Sequence, residues 1–225
     1  MKGQLLAVLV MSSLALSSCK DNKDVMKLPA AKETRARDDK GSKAKTIEDM
    51  QAAFNGESNA SARYAAFSKK ASEEGYKEIA MLFKAASLSE KIHAENHKEV
   101  LKEMGVEVKP AVIDVKVNST RENLEFAAKG EAYEVAEMYP KFLKDADDSG
   151  SQLALISLNY AYNTEKKHKI LYEKALAALA GNTVNSLPKT YFVCPTCGNT
   201  YENTAPKRCS ISMTSGEKFI KVDTL

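Results

Sequence analysis

The sequence predicts an all-α protein, a four-helix bundle with a long crossover between its second and third helices, followed by a small C-terminal β domain. Apolar residues recur at spacings of three and four along several long segments, which is the pattern of amphipathic helices. These segments form two similar halves, as expected for two helix pairs. A Cys-x-x-Cys near the end of the chain predicts a separate metal-binding domain there.

Each half of the bundle contains one Glu-x-x-His motif. The motifs are Glu90–His93 and Glu165–His168, at an offset of 165 − 90 = 75 residues. Residues three apart lie on one face of a helix, with Cβ atoms about 5–6 Å apart, so a carboxylate and an imidazole can reach the same metal ion. A single motif of this kind arises by chance, whereas a repeated pair indicates a metal centre.

A glutamate preceded by glycine stands upstream of each motif. Glu57 precedes Glu90 by 90 − 57 = 33 residues, and Glu131 precedes Glu165 by 165 − 131 = 34 residues. Two antiparallel helices of about 28 residues, each about 40 Å long, bring such positions level near their middles. One Glu from each of two helices and one Glu-x-x-His from each of the other two is the ligand pattern of ferritin-like di-iron bundles. We therefore expect a ferritin-like fold.

Glycines and capping residues predict where the elements begin and end. Thr46 is the expected N-cap of the first helix, and glycines end the first two helices. The expected domains are a bundle at 46–181, with helices at 46–74, 76–104, 120–148 and 151–181 and a crossover at 106–119, then a linker at 182–190 and the β domain at 191–225.

The internal repeat predicts an irregularity in the third helix. Gly56 and Gly130 align at an offset of 74 residues, whereas Phe67 and Phe142 align at an offset of 75. One extra residue therefore lies between Glu131 and Phe142. Single-residue insertions in helices form π-bulges, often at functional sites, and we expect one here.

The N-terminus predicts export and lipid anchoring. An apolar run from Leu5 to Leu16 is too short to span a bilayer and ends in small residues before Cys19, as in a lipoprotein signal. We expect a signal peptide at 1–18, lipidation of Cys19, a flexible charged tether at 19–45 and a membrane-anchored, exported protein. An ordinary secretory peptide or a cytosolic chain with an apolar start are the alternatives. The net charge of +3 does not indicate a nucleic-acid partner.

The tail contains an incomplete set of thiolate ligands. Cys194 and Cys197 form the Cys-x-x-Cys, but the second such motif begins at Cys209 and has Ser212 in place of its second cysteine. Serine oxygen is a harder and poorer iron ligand than thiolate. The site could bind one iron or one zinc, or remain without metal, and an exported protein could form a Cys194–Cys197 disulfide.

With the paired motifs and the cysteine tail together, the sequence resembles the rubrerythrins from about Thr46 to Lys221. The matching segments are Phe54–Ala60, Glu74–Tyr76, His93–His97, Gly130–Glu131 and Met138–Pro140. The resemblance implies a non-haem di-iron oxidoreductase that reduces hydrogen peroxide, with a rubredoxin-like domain supplying electrons. It also implies a homodimer in which this domain approaches the partner's di-iron site.

The resemblance implies a role for each site residue. The iron ligands would be Glu57, Glu90, His93, Glu131, Glu134, Glu165 and His168. One iron would shift between His93 and Glu134 with oxidation state, and Tyr64 and Tyr139 would hydrogen-bond the carboxylates. Together with His93 and Glu134, these tyrosines are the predicted catalytic residues. His97 is interpreted as an ordinary polar position outside the ligand set.

Three functions are compatible with the sequence. Peroxide reduction, with electrons from an unidentified donor protein, is the leading hypothesis. Oxidation of ferrous ion or iron handling is the second, and a non-catalytic, anchored metal-binding protein is the third. Buried salt bridges would be a structural explanation of the motifs, but Lys91, Lys166 and Lys167 fall on other helix faces.

Overall fold

The structure, a computed structural model, describes residues 39–225, with side chains from residue 41. The predicted signal peptide, the lipidation site at Cys19 and most of the predicted tether lie outside the described residues. The end of the predicted tether, at 39–45, is wrong, because these residues belong to the first helix. The elements are α1 (Asp39–Glu73), α2 (Lys77–Glu103), α3 (Thr120–Tyr133), a π turn (Glu134–Met138), α4 (Tyr139–Asp148), α5 (Gln152–Ala180), β1 (Tyr191–Val193), β2 (Thr200–Glu202) and β3 (Ile220–Val222), with short 3₁₀ turns at Val184–Ser186 and Gly216–Lys218.

The predicted bundle is confirmed. Its four rods are α1, α2, the combination of α3, the π turn and α4, and α5. Two clusters of buried apolar side chains fill the interior. Within the described part of the chain, no helix is long and apolar enough to cross a membrane.

The expected N-cap at Thr46 is wrong, because α1 begins at Asp39 and Thr46 lies inside the helix. Its buried Oγ1 lies 3.1 Å from the carbonyl oxygens of both Ser42 and Asp145 and 2.9 Å from Ser149 Oγ. A threonine that bonds the carbonyl four residues earlier is compatible with a helix interior. The hydroxyl therefore joins α1 to the end of α4 instead of starting a helix.

The predicted helix ends are confirmed. Gly75 and Gly105 have positive φ angles of 87° and 74°, a conformation that glycine adopts without a Cβ penalty. Ser119 caps α3 by accepting a hydrogen bond from the Glu122 backbone, and the Glu122 carboxylate accepts one from the Ser119 backbone in return.

The predicted π-bulge is also confirmed. Residues Glu134–Met138 form a π turn between Glu131 and Phe142, where the repeat has its extra residue. The turn absorbs that residue without ending the rod, so Tyr139 still faces the bundle interior and is fully buried.

Amide side chains attach the crossover to α1. Gln51 bonds both backbone groups of Lys109, and Asn55 accepts from the backbone of Val112. Asn59 donates to the Val112 carbonyl. These amides recur every four residues on one face of α1, so they replace the backbone partners that the irregular crossover lacks.

The C-terminal β domain is confirmed as a three-stranded antiparallel sheet in the order β2-β1-β3. Tyr191, Val193 and Val222 from this sheet share a buried apolar cluster with residues of α1, α2 and α5. The sheet thus packs directly on the bundle of its own chain.

We predict that Thr46→Val lowers the free energy of unfolding by about 1–2 kcal/mol, because a hydroxyl that bonds α4 is lost from a buried position. Thr46→Ser is the matched control, since it keeps the hydroxyl. Urea unfolding followed by circular dichroism measures both, and equal stability of the two variants would contradict the role assigned to the hydroxyl.

Candidate metal centre

All four rods contribute side chains to one buried polar centre. Glu57 comes from α1, Glu90 and His93 from α2, Glu131 from α3, and Glu165 and His168 from α5. Each of these six side chains is at most 2% exposed. The helical spacing of three places both members of each Glu-x-x-His on the inner face, as predicted.

The six residues form two adjacent donor groups. One consists of Glu57, Glu90, His93 and Glu165, and the other of Glu90, Glu131, Glu165 and His168, each with ligand atoms within 4.8 Å of one another. Glu90 and Glu165 belong to both groups. Two metal ions held side by side would therefore share these two carboxylates.

Individual oxygens of the shared carboxylates face different histidines. His93 Nδ1 lies 2.9 Å from Glu90 Oε2 and 2.9 Å from Glu165 Oε1. His168 Nδ1 lies 3.0 Å from Glu90 Oε1 and 2.8 Å from Glu165 Oε2. Each carboxylate thus presents one oxygen to each half of the centre, as a bridging ligand does.

The centre contains polar atoms that the protein itself does not satisfy. Glu131 Oε2 is buried with no hydrogen-bond partner among the described residues, and Glu90 Oε1 and Oε2, His93 Nδ1 and Glu165 Oε1 make only the ion-pair contacts given above, without hydrogen-bond geometry. Such groups are costly to bury and usually mark a missing ligand or ion. Carboxylate oxygens with imidazole nitrogens suit divalent first-row metals such as iron. The residues present therefore fit a di-iron centre.

The electrostatics of the centre require cations or protons. Burial and the Glu165 carboxylate raise the pKa of Glu57 to about 7, and burial with the charges of Glu165 and Glu134 raises the pKa of Glu131 well above its usual range. Burial opposes ionisation of Glu165, but His93 and His168 outweigh it and lower the pKa of Glu165 to about 2. Without metal, the centre therefore holds protons on some carboxyls and on the histidines.

The pKa values of the two histidines also reflect the opposition between burial and neighbouring charge. Burial disfavours the charged form of His168, but Glu90 and Glu165 outweigh it and raise its pKa to about 10. Burial likewise opposes charge on His93, yet Glu165 and its neighbours raise the pKa of that ring well above its usual value. Metal binding must displace these protons, so iron affinity should rise with pH.

Both predicted tyrosines bond carboxylates of the centre. Tyr64 donates to Glu131 Oε1 over 2.8 Å, and Tyr139 donates to Glu57 Oε1. Burial and the nearby carboxylates raise the pKa of each phenol well above 10, so both remain donors. They hold Glu131 and Glu57 in place from opposite ends of the centre.

His97 is a functional neighbour that the sequence interpretation missed. It is fully buried, and burial lowers its pKa to about 3, so the ring is neutral. Its Nδ1 lies 2.8 Å from Ser157 Oγ, and its Nε2 lies 3.4 Å from Tyr139 Oη. The expectation of an ordinary polar position is wrong, although His97 does stay outside the donor groups. Its position four residues after His93 was the available signal, since that spacing keeps it on the same face.

Glu134 lies beside the centre and outside both donor groups. It is half-buried in the π turn. Its burial and the carboxylates of Glu57, Glu165 and Glu90 raise its pKa well above the usual range for glutamate. The π turn therefore places an additional carboxyl group at the edge of the centre.

The outer ring nitrogens of both histidines contact the cysteine-bearing tail. His93 Nε2 lies 3.0 Å from the carbonyl oxygen of Cys197, and His168 Nε2 lies 3.0 Å from Thr200 Oγ1. Ser89 donates to the carbonyl of Gly198. The loop after Cys197 thus fixes the orientation of the rings whose Nδ1 atoms face the carboxylates.

The tail brings together its predicted ligands. Cys194, Cys197 and Cys209 are buried free thiols whose sulfurs lie within 4.8 Å of one another, and Ser212 Oγ lies 3.3 Å from Cys194 Sγ. The alternative Cys194–Cys197 disulfide is not formed. A hydrogen bond from Cys197 lowers the pKa of the Cys194 thiol to about 4, which makes it the first thiolate of the set.

Comparison with known proteins agrees with this geometry. A family model described as rubrerythrin matches residues 48–176. Rubrerythrin-2 of Clostridium acetobutylicum is 34% identical over 178 residues, which cover 78% of this chain and 96% of that protein. Nigerythrin of Nitratidesulfovibrio vulgaris is 35% identical over 185 residues, covering 81% and 89%. A solved structure of fully reduced, all-ferrous nigerythrin has a TM-score of 0.71 at 32% identity and covers 78% of this chain and 86% of its own.

We predict that Gly198→Ala is more destabilising than Gly105→Ala. Both glycines have φ of 74°, so both variants carry the same backbone cost. A Cβ at Gly198 would lie 2.4 Å from His93 Nε2 and 2.6 Å from Ser89 Oγ, whereas a Cβ at Gly105 meets nothing within 4 Å. The clash should add about 1–3 kcal/mol to the loss measured by urea unfolding. Equal losses would show that the tail does not lie against His93.

Proposed function

The chain belongs to the rubrerythrin family, and we propose that it is a di-iron oxidoreductase that reduces hydrogen peroxide to water. The observation that carries this proposal is the pair of buried donor groups that share Glu90 and Glu165. The all-ferrous state of the similar nigerythrin structure supports iron as the metal. When bound, the iron pair would supply the two electrons that peroxide needs and act as a Lewis acid.

The protein's own residues would hold and orient the reacting centre. Glu57 and His93 would hold one iron, Glu131 and His168 the other, and Glu90 and Glu165 would bridge them. The hydroxyls of Tyr64 and Tyr139 keep the two outer carboxylates from rotating away. The side chains that the four helical rods contribute to the centre are buried, so bulk water is excluded from it.

Glu134 and His93 are the two residues that we assign to ligand exchange at one iron position. Glu134 is half-buried on the π turn next to the centre, where its carboxyl group would be in position to give a proton to a departing oxygen. His93 already faces the shared carboxylates from the other side. Exchange of one ligand for the other would open and close a coordination position for peroxide.

The tail gives electrons a short route to the centre. The Cys197 carbonyl accepts a hydrogen bond from His93 Nε2, and Thr164 Oγ1 donates to the same carbonyl over 3.1 Å. The route would therefore run from Cys197, a candidate metal ligand of the tail, through one peptide unit to His93, a candidate ligand of the iron pair. An external donor protein would reduce the tail. If the protein is a homodimer, exchange of tails between copies would preserve the same contacts.

We further propose that the protein is exported and anchored by a lipid on Cys19, on the strength of the apolar run and small residues before it. The expected result is that the native protein fractionates with membranes and that Cys19→Ala is released to the soluble fraction. Mass spectrometry of the mature N-terminus checks the lipid directly. Equal fractionation of both forms would contradict the anchor.

We predict that Glu90→Gln greatly reduces iron loading at both positions, because Glu90 belongs to both donor groups. The amide keeps the shape and removes the negative charge, so folding should be preserved. Glu95→Gln, on the exposed face of the same helix, is the matched control and should load iron normally. Iron per chain is measured by elemental analysis after anaerobic reconstitution.

Stopped-flow mixing of the reduced protein then tests the reaction itself. Rapid oxidation by peroxide with slow oxidation by oxygen supports the proposal. Faster reaction with oxygen, followed by mineral growth, would instead establish ferrous oxidation, and a Glu90→Gln protein that turned over peroxide at the native rate would refute the site assignment.

A further inference from the structure

The loop that begins at Cys209 repeats the backbone of the loop that begins at Cys194. In the first loop, Gly198 N–H donates to the Cys194 carbonyl over 2.9 Å, and Cys194 N–H donates to the Asn199 carbonyl over 3.0 Å. In the second loop, Met213 N–H donates to the Cys209 carbonyl over 3.1 Å, and Cys209 N–H donates to the Thr214 carbonyl over 2.8 Å. The equivalent of Cys197 in this repeat is Ser212.

The second loop has a residue with positive φ at the position equivalent to Gly198. Gly198 follows Cys197 with φ of 74°, and Met213 follows Ser212 with φ of 61°. A side chain at positive φ is unfavourable for residues other than glycine, by about 1 kcal/mol or more. The Met213 side chain is 62% exposed, so packing of that side chain does not impose the conformation. The closure of the loop, which directs residue 212 inward, imposes this backbone conformation instead.

Two pairs of the four donor atoms are spaced as in a tetrahedral site, and the three sulfurs lie within 4.8 Å of one another. Ser212 Oγ lies 3.3 Å from Cys194 Sγ, and Cys197 Sγ lies 3.4 Å from Cys209 Sγ. Bonds of about 2.3 Å at tetrahedral angles would place two sulfurs about 3.7 Å apart, and a shorter bond to oxygen would reduce the sulfur–oxygen distance. Small adjustments would therefore close the set around one ion.

We propose that Ser212 Oγ is the fourth ligand of a mononuclear iron site formed with Cys194, Cys197 and Cys209. On binding, the serine hydroxyl and the thiols that are still protonated release their protons to solvent, and four metal–ligand bonds form. A hard oxygen ligand stabilises ferric over ferrous iron relative to a fourth sulfur. The site is therefore a stronger reductant than the same loop pair with four cysteines.

The surroundings of Ser212 provide a path for its proton. Ser212 Oγ lies 2.8 Å from Thr214 Oγ1, and Thr214 Oγ1 donates to Thr196 Oγ1 over 2.8 Å. Thr196 is exposed, so this chain of hydroxyls connects the ligand oxygen with solvent. The proton can leave when a metal binds, without crossing the apolar interior.

Hydrogen bonds also support negative charge on the opposite side of the set. Cys209 Sγ accepts from the backbone of Ile211 over 3.4 Å and from Tyr201 Oη over 3.5 Å. The Lys167 ammonium lies 4.4 Å from the centre of the Tyr201 ring, which places a cation next to the cysteine cluster. These contacts suit a site whose ligands all ionise.

The assignment of Ser212 as a ligand rests on the donor atoms of the tail alone. The use of this site in electron transfer to the bundle rests on the proposed function. The full chain, reconstituted anaerobically with iron, is compared with Ser212→Cys, Ser212→Ala and Ser210→Ala. Ser210 is the matched control, because it is an exposed serine of the same loop that bonds Tyr201. The readouts are iron affinity, Mössbauer spectra and the midpoint potential followed at the thiolate-to-iron absorption band, which a carboxylate–histidine centre does not produce.

We expect the native protein to show a tetrahedral thiolate-iron signal and a lower midpoint potential than Ser212→Cys. Ser212→Ala should bind this iron at least about tenfold more weakly, and Ser210→Ala should match the native protein. The proposal is overturned if Ser212→Ala matches the native affinity and spectrum, or if only Ser212→Cys binds iron in the tail. None of these readouts uses peroxide, so failure of peroxide reduction would not contradict the ligand assignment. Failure of the ligand assignment would likewise not contradict peroxide reduction at the di-iron centre.

Discussion

The convergence of four carboxylates on two histidines in the bundle interior is the constraint on which the rest of this structure depends. Among the described residues, the ion pairs of Glu57, Glu90 and Glu165 are with His93 and His168 only. One pair of carboxylates about 4 Å apart repels by about 4 kcal/mol at an effective dielectric near 20. Such a cluster is stable in a dry interior only with cations or bound protons. The bundle is therefore built around charge that bound metal or protons must neutralise.

The same constraint explains the polar groups that surround the cluster. A carboxylate that accepts a tyrosine hydrogen bond is fixed in orientation and remains available to a metal through its other oxygen. Neutral His97 and Ser157 in turn hold Tyr139, so the restraint extends one layer further from the ions. The β domain completes this shell, because its loop covers the outer nitrogens of both histidine rings.

The two candidate metal sites are consequently parts of one structural unit. The Cys197 residue contributes its sulfur to the tail cluster and its carbonyl to His93, so the two candidate sites are connected through one peptide unit. Ser212 adds an asymmetry to the tail, since the second of its two otherwise equivalent loops has a serine oxygen where the first has the Cys197 sulfur. This asymmetry would set the driving force for electron transfer towards the bundle.

The sequence alone determined the elements whose information is local or periodic. The spacing of Glu90 and His93 defines a helix face, and the one-residue mismatch between the repeats required the π turn, because an extra residue in a continuous helix has nowhere else to go. Tertiary structure decided what depends on neighbours distant in the chain. Thr46 lies inside a helix, where its hydroxyl contacts the distant residues Asp145 and Ser149, and His97 is buried where α5 supplies Ser157 as its partner. The contact between Cys197 and His93 joins residues 104 positions apart, and no local pattern encodes such a pairing.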